Sequence, residues 1–235
     1  MTDRPGRGPV QLALDLPHEA AMGRDDFVES PSNAAALALV DRWPDWPAHA
    51  VLLTGPEGSG KSHLARIWSA RSGAPIVPAA GIAAADGPRL VSAGALALED
   101  AGPGLDEAAL FHLLNLAREQ GAHLLPTAAA EPAAWGIGLP DLASRLAALP
   151  VVRLDPPDET LLVRVLVKLL ADRQIAAEPA LLDYVLARME RSLAAARRLV
   201  LLLDRLTLER RRPLTRALAA EALGRLAEEA GSREA

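Results

Sequence analysis

Cysteine is absent from the 235 residues, which excludes a disulfide framework and any cysteine-based metal site and suits a reducing cytoplasm. Aromatic residues make up only 3% of the chain, while 50% of it is hydrophobic and dominated by Leu and Ala. That supply fills a core but favours packed helices over an all-β architecture. No run approaches ~18 apolar residues free of charge or breaker, so no membrane span is expected. The first residues carry no apolar segment behind their charges, so no signal peptide is expected either. An excess of positive charge is also lacking: the net charge of −5 gives no global attraction to nucleic-acid phosphates. The histidines, His18, His49, His63, His112 and His123, keep no metal-ligand spacing. These absences leave a soluble, cytoplasmic chain with ample core.

What is present is organised around Gly55-Pro56-Glu57-Gly58-Ser59-Gly60-Lys61-Ser62. The apolar run Ala50-Val51-Leu52-Leu53-Thr54 enters it and His63-Leu64-Ala65-Arg66-Ile67-Trp68 leaves it, with Leu64, Ile67 and Trp68 at helical spacing. Strand, glycine-rich turn and helix form the context that a phosphate-binding loop needs. The glycines let successive backbone N–H groups point at a polyphosphate, and the new helix adds its positive end. Lys61 is expected to reach the β- and γ-phosphates and the Ser62 hydroxyl to face Mg²⁺.

Before this loop, residues 1–10 are rich in Gly, Pro and Arg and are expected to be disordered. Gln11-Leu12-Ala13-Leu14-Asp15-Leu16 follows, with leucines on alternate positions. Such a peptide suits docking in an extended form, or alternatively a short edge strand. Phe27-Val28-Glu29-Ser30-Pro31-Ser32-Asn33 leads into a helix over about 33–43. Beyond the loop, Pro75-Ile76-Val77 and Arg89-Leu90-Val91 read as short strands. Ala95-Leu96-Ala97-Leu98-Glu99-Asp100 is an apolar strand ending in two acids, and in a P-loop protein such acids hold Mg²⁺ and orient the attacking water. Leu110, Leu113, Leu114 and Ala117 mark a helix after Asp106. His123-Leu124-Leu125-Pro126-Thr127 reads as a strand that Pro126 is expected to end early. A short helix opening at Leu139 and a last strand, Val151-Val152-Arg153-Leu154, complete an α/β layer with a parallel sheet. From Pro156 onward, four helical stripes begin at Leu161, Leu181, Leu193 and Leu218 and predict a small helical domain. The expected division is a tail over 1–20, an α/β domain over 21–155, a helical lid over 156–230 and a polar end over 231–235.

An α/β P-loop domain followed by a helical lid resembles the AAA+ ATPases, and several particulars resemble the DnaA family among them. Gly60-Lys61-Ser62-His63-Leu64 is similar to that family's continuation of the P-loop. Phe27-Val28 with Ser32-Asn33 is similar to its segment near the base, and Pro140-Asp141-Leu142-Ala143-Ser144-Arg145-Leu146 to its arginine-finger segment. The resemblance implies bound ADP or ATP with Mg²⁺, held by the loop residues, His63, Phe27, Val28 and Asn33. It further implies metal contacts from Ser62 and Glu99, a catalytic Asp100, a first sensor at Thr127 and a lid sensor at Arg197, with Arg198 as its rival. An N-terminal Gln-Leu-x-Leu-x-Leu peptide without a following DNA-binding domain is similar to the regulatory inactivators within the family. That similarity implies two partners: the DNA polymerase sliding clamp, held by Gln11, Leu12, Leu14 and Leu16, and DnaA itself, whose ATP would receive Arg145 in trans. A homodimer is compatible, and sequence-specific DNA binding and membrane association are not expected. The family carries Asp where Glu99 stands, one methylene longer here, so intrinsic ATP hydrolysis is expected to be weak. Two other readings keep the P-loop: an ATP-driven loader or remodeller of DNA-bound proteins, with Arg205, Arg210, Arg211, Arg212 and Arg216 as a basic strip, or a small-molecule kinase.

Overall fold

The computed structural model describes residues 22–231. Among them a five-stranded parallel sheet forms in the spatial order β2, β3, β4, β1, β5. The strands are β1 (Leu52–Thr54), β2 (Ile76–Pro78), β3 (Ala95–Ala101), β4 (His123–Ala128) and β5 (Val151–Arg153). The P-loop strand β1 thus lies between β4 and β5, paired with both.

Helices cover both faces, as a sheet of near-continuous apolar strands requires. One face of the sheet (Val51, Leu53, Ala95, Ala97, Leu125) packs on α1 (Ala34–Arg42) and α2 (Lys61–Ser72) through Leu37, Val40, Leu64 and Trp68. The opposite face (Leu52, Leu96, Leu98, Leu124) packs on α3 (Gly87–Val91), α4 (Glu107–Gln120) and α5 (Pro140–Ala147) through Leu90, Leu110, Leu113, Leu142 and Leu146. Asp106 caps α4, its carboxylate accepting from the Ala109 N–H at 2.8 Å. Such a cap is worth about 1 kcal/mol.

Four further helices follow the sheet: α6 (Glu159–Asp172), α7 (Pro179–Leu186), α8 (Leu193–Arg210) and α9 (Arg216–Gly231). They share a core built from Leu166, Leu170, Val185, Leu199, Leu203 and Ala222. Ser192 caps α8 by accepting from the Ala195 N–H at 3.0 Å.

Two sequence expectations need correction. Arg89-Leu90-Val91 is not a strand but the end of α3, where Leu90 and Val91 are buried against the sheet and Pro88 takes an early helical position that does not need its N–H. Pro126 does not end β4 early: it is buried in the strand, paired in register with Leu98 of β3. On the β1 side Leu124 donates to His49 and Ala128 accepts from Gly55. Pro126, at the same parity, therefore removes one rung only.

Candidate functional site at the carboxyl edge of the sheet

The loop between β1 and α2 turns on two glycines whose place no other residue takes without displacement. Gly58 has φ +72, and a Cβ there would stand 2.7 Å from Ser192 Cβ at the start of α8. A Cβ on Gly55 would meet the Leu154 carbonyl oxygen at 2.5 Å. The loop is also tied to the helical unit directly, because the Leu193 N–H donates to the Gly58 carbonyl at 3.0 Å. Gly60 stands before α2 in a left-handed conformation and no side chain caps that helix, so its first-turn N–H groups remain for an anion.

Lys61 is buried, and its ammonium donates to the carbonyls of Gly55 at 2.7 Å and Pro56 at 2.9 Å. Burial lowers its pKa, and the nearby Asp100 and Glu57 carboxylates act in the opposite direction. The cavity beside it holds about 490 Å³, and Glu57, Gly58, Lys61, Ser62, Asp100 and Arg197 are among the residues that line it.

At the end of β3 the register with β4 shifts between Leu98 and Ala101. Asp100 takes φ +57 there, and its N–H donates to the fully buried Thr127 hydroxyl at 3.2 Å. A non-glycine residue in that conformation is rare and Asp is one of the few that tolerates it. The bulge separates the two acids: Asp100 enters the P-loop cavity, while one oxygen of Glu99 is buried.

A second cavity of about 140 Å³ adjoins the first, and Phe27, Val28, Asn33, Lys168, His63 and Arg197 are among its walls. Asn33 shapes the segment before it: its amide donates to the Val28 carbonyl at 3.0 Å and accepts from the Ser30 N–H at 2.9 Å. His63 and Arg197 border both cavities. The Arg197 guanidinium donates to His63 Nδ1 at 2.9 Å, and His63 Nε2 lies 3.1 Å from the Gly23 carbonyl. A guanidinium only donates and a carbonyl only accepts, so His63 is the neutral tautomer with its proton on Nε2. Burial and the Arg197 charge hold its pKa down at about 4. Arg198, in contrast, turns outward to Glu190 at 3.2 Å.

Arg145 is elsewhere. It projects from α5, half-buried, with its guanidinium over the Phe111 ring of α4 at 5.2 Å, and it is not among the residues lining the P-loop cavity. Of the basic strip, Arg205 pairs with Glu209 and Arg210 with Glu221. The tail residues Gln11, Leu12, Leu14 and Leu16 lie outside the described residues.

The residues present fit a nucleoside polyphosphate with Mg²⁺. Thr54 Oγ1, Ser59 Oγ and Glu99 Oε1 are buried without a hydrogen-bond partner, all at the carboxyl edge where the loop stands. Such orphaned groups cost about 1–3 kcal/mol each unless something completes them. Sequence reasoning missed Gly23, Asp26, Lys168 and Ser192 as neighbours of this site. Lys168 bridges Asp26 and Asp172 at 2.7 and 2.8 Å, and only the i,i+4 pair within α6 leaves a local signal.

Neither family models nor curated proteins give a match to the sequence. Solved structures do. Domain III of the replication initiation protein DnaA from Thermotoga maritima superposes with a TM-score of 0.70 at 18% identity, over 86% of this chain and 95% of that one. AMPPCP-bound DnaA from Aquifex aeolicus gives 0.59 at 15%, over 78% and 64%. The RuvB Holliday junction branch migration motor of Thermotoga maritima gives 0.64 at 16%, over 82% and 66%. The fold is that of an AAA+ ATPase. At these identities the likeness concerns architecture alone, and the chain is similar to both a replication initiator and a branch-migration motor. Among the described residues no helix is long and apolar enough to cross a membrane.

Proposed function

We propose that this chain is a nucleotide-binding regulator that lends an arginine to another molecule's ATP, the role of the Hda-type inactivators of DnaA. In this reading residues 21–155 are the base unit and 156–230 the lid. Gly55 to Ser62, with His63, Phe27, Val28, Asn33, Thr127 and Arg197, hold ADP or ATP, and Ser62 and Glu99 hold Mg²⁺. The metal, when bound, neutralises phosphate charge. Asp100 sits beside the loop, but the Glu99 substitution favours retention of nucleotide over its hydrolysis.

One observation carries the reading: Arg145 is half-exposed, paired with no carboxylate among the described residues, and seated on a ring without lining its own chain's P-loop cavity. A guanidinium so placed serves a neighbour's phosphates, where neutralising charge that grows in the transition state is worth on the order of 10³–10⁵ in rate. Gln11, Leu12, Leu14 and Leu16 would tether the chain to the sliding clamp and raise its local concentration near DnaA. The chain needs no sequence-specific DNA contact for this, acts in the cytoplasm, and a homodimer is compatible with it.

The test is to add the purified chain to ATP-loaded DnaA with the clamp loaded on DNA. Faster hydrolysis of the DnaA-bound nucleotide is expected, with loss of the effect when Gln11→Ala and Leu14→Ala are combined; unchanged hydrolysis contradicts the proposal. A second reading, an autonomous AAA+ ATPase that loads or remodels DNA-bound proteins, draws on Arg211, Arg212 and Arg216, which have no ion-pair partner among the described residues. Strong DNA-stimulated ATP turnover by the isolated chain would favour it.

A further inference from the structure

We infer that α4 is a splint for Arg145: Glu107 fixes the start of α5, and Phe111, one turn further along α4, seats the guanidinium. The inference rests on the proposed role of Arg145 and adds two positioning residues to it.

Glu107 is the first residue of α4, yet its carboxylate is spent on another helix. Oε1 accepts from the Gly138 N–H at 2.9 Å and Oε2 from the Leu139 N–H at 2.7 Å. Leu139 is the N-cap of α5, whose own side chain supplies no cap. The positive ends of two helices therefore meet one carboxylate, a favourable arrangement by charge and by hydrogen bonding. Four residues on, Phe111 lies on the same side of α4 and Arg145 lies over its ring at 5.2 Å. The two contacts form rungs between α4 and α5, one at the helix start and one at the arginine.

The second rung matters because Arg145 forms no ion pair among the described residues, not even with Asp141 four positions before it on α5. An arginine side chain free to sample its rotamers loses entropy when it is fixed. A guanidinium lying on an aromatic face keeps its charge and its donors available at the edge while its plane is set in advance. The ring orders the side chain without consuming the groups a phosphate would need. Phe111 also packs against the sheet core, so ring and helix move together.

The composition offers a direct readout. The chain contains two phenylalanines, Phe27 and Phe111, so the full chain grown with 4-fluorophenylalanine gives two fluorine resonances. Arg145→Ala is expected to shift the Phe111 line and leave the Phe27 line in place; an unmoved Phe111 line overturns the stack. In the DnaA-bound ATP assay, Phe111→Leu is expected to reduce stimulation about 5-fold, as loss of one cation–π contact implies, with Phe111→Tyr restoring it. Glu107→Ala is expected to reduce stimulation with nucleotide binding by the chain unchanged. If Phe111→Leu matches the parent while Arg145→Ala abolishes stimulation, or if Phe111→Tyr fails to restore it, the splint is wrong and the finger stands. If Arg145→Ala itself stimulates normally, it is the proposed function that fails.

Discussion

Two arginines of this fold are held in contrasting ways. Arg197 on α8 is half-buried, donates to His63 and borders both cavities. Arg145 on α5 is half-exposed and rests on a hydrocarbon ring. The first spends one of its donors on a partner inside the chain and turns the rest toward its own cavities; the second keeps its donors for something outside. Partner choice and position, not residue type, separate an arginine that reports on its own site from one that is offered to a neighbour.

The largest effect in this comparison should come from the loop that Arg197 faces. Gly58→Val places a branched side chain where a single Cβ would already stand 2.7 Å from Ser192, at φ +72. It is expected to separate the loop from α8 and weaken ADP binding by on the order of 100-fold or more by titration calorimetry. Retention of parental affinity would mean that the contact between loop and lid is incidental.

Next comes Arg197 itself. Arg197→Ala removes a charged donor from both cavities and is expected to weaken nucleotide binding roughly 10- to 100-fold. Arg198→Ala, which breaks only an exposed pair with Glu190, should change it less than about 3-fold. Equal losses would erase the distinction between the cavity-facing and the outward-facing arginine on α8.

A smaller effect is expected in the pH dependence of stability. The folded pKa of His63 lies at about 4, below its ordinary 6.5, so the unfolded chain binds more protons between those values. Stability from this group is complete above about 6.5 and is lost as pH falls towards about 4. Thermal melts of the parent and of His63→Gln across that window should show the steeper decline in the parent; parallel curves would contradict the buried neutral tautomer.

Much of this contrast was legible in the sequence on one side only. Glycine spacing, the strand before Gly55 and the helical stripe after Ser62 announced the loop because all the information is local. The helical stripes from Leu161 onward announced α6 to α9 for the same reason. Arg89-Leu90-Val91 misled because three apolar-flanked residues fit either periodicity, and burial against the sheet decided for helix. Pro126 misled because its cost depends on which neighbour its missing N–H would face. The bond from Arg197 to His63 spans 134 residues and the bond from Glu107 to Leu139 spans 32, and no local spacing encodes either. For Arg145, the ring beneath it became visible only once α4 and α5 lay side by side.

The most direct test of the account is single-turnover hydrolysis of ATP bound to DnaA, in the presence of the clamp on DNA, with the parent chain and with Arg145→Ala. The account predicts that Arg145→Ala binds nucleotide and clamp as the parent does yet leaves the hydrolysis rate of DnaA at its unstimulated value. Stimulation by Arg145→Ala equal to that of the parent would contradict it.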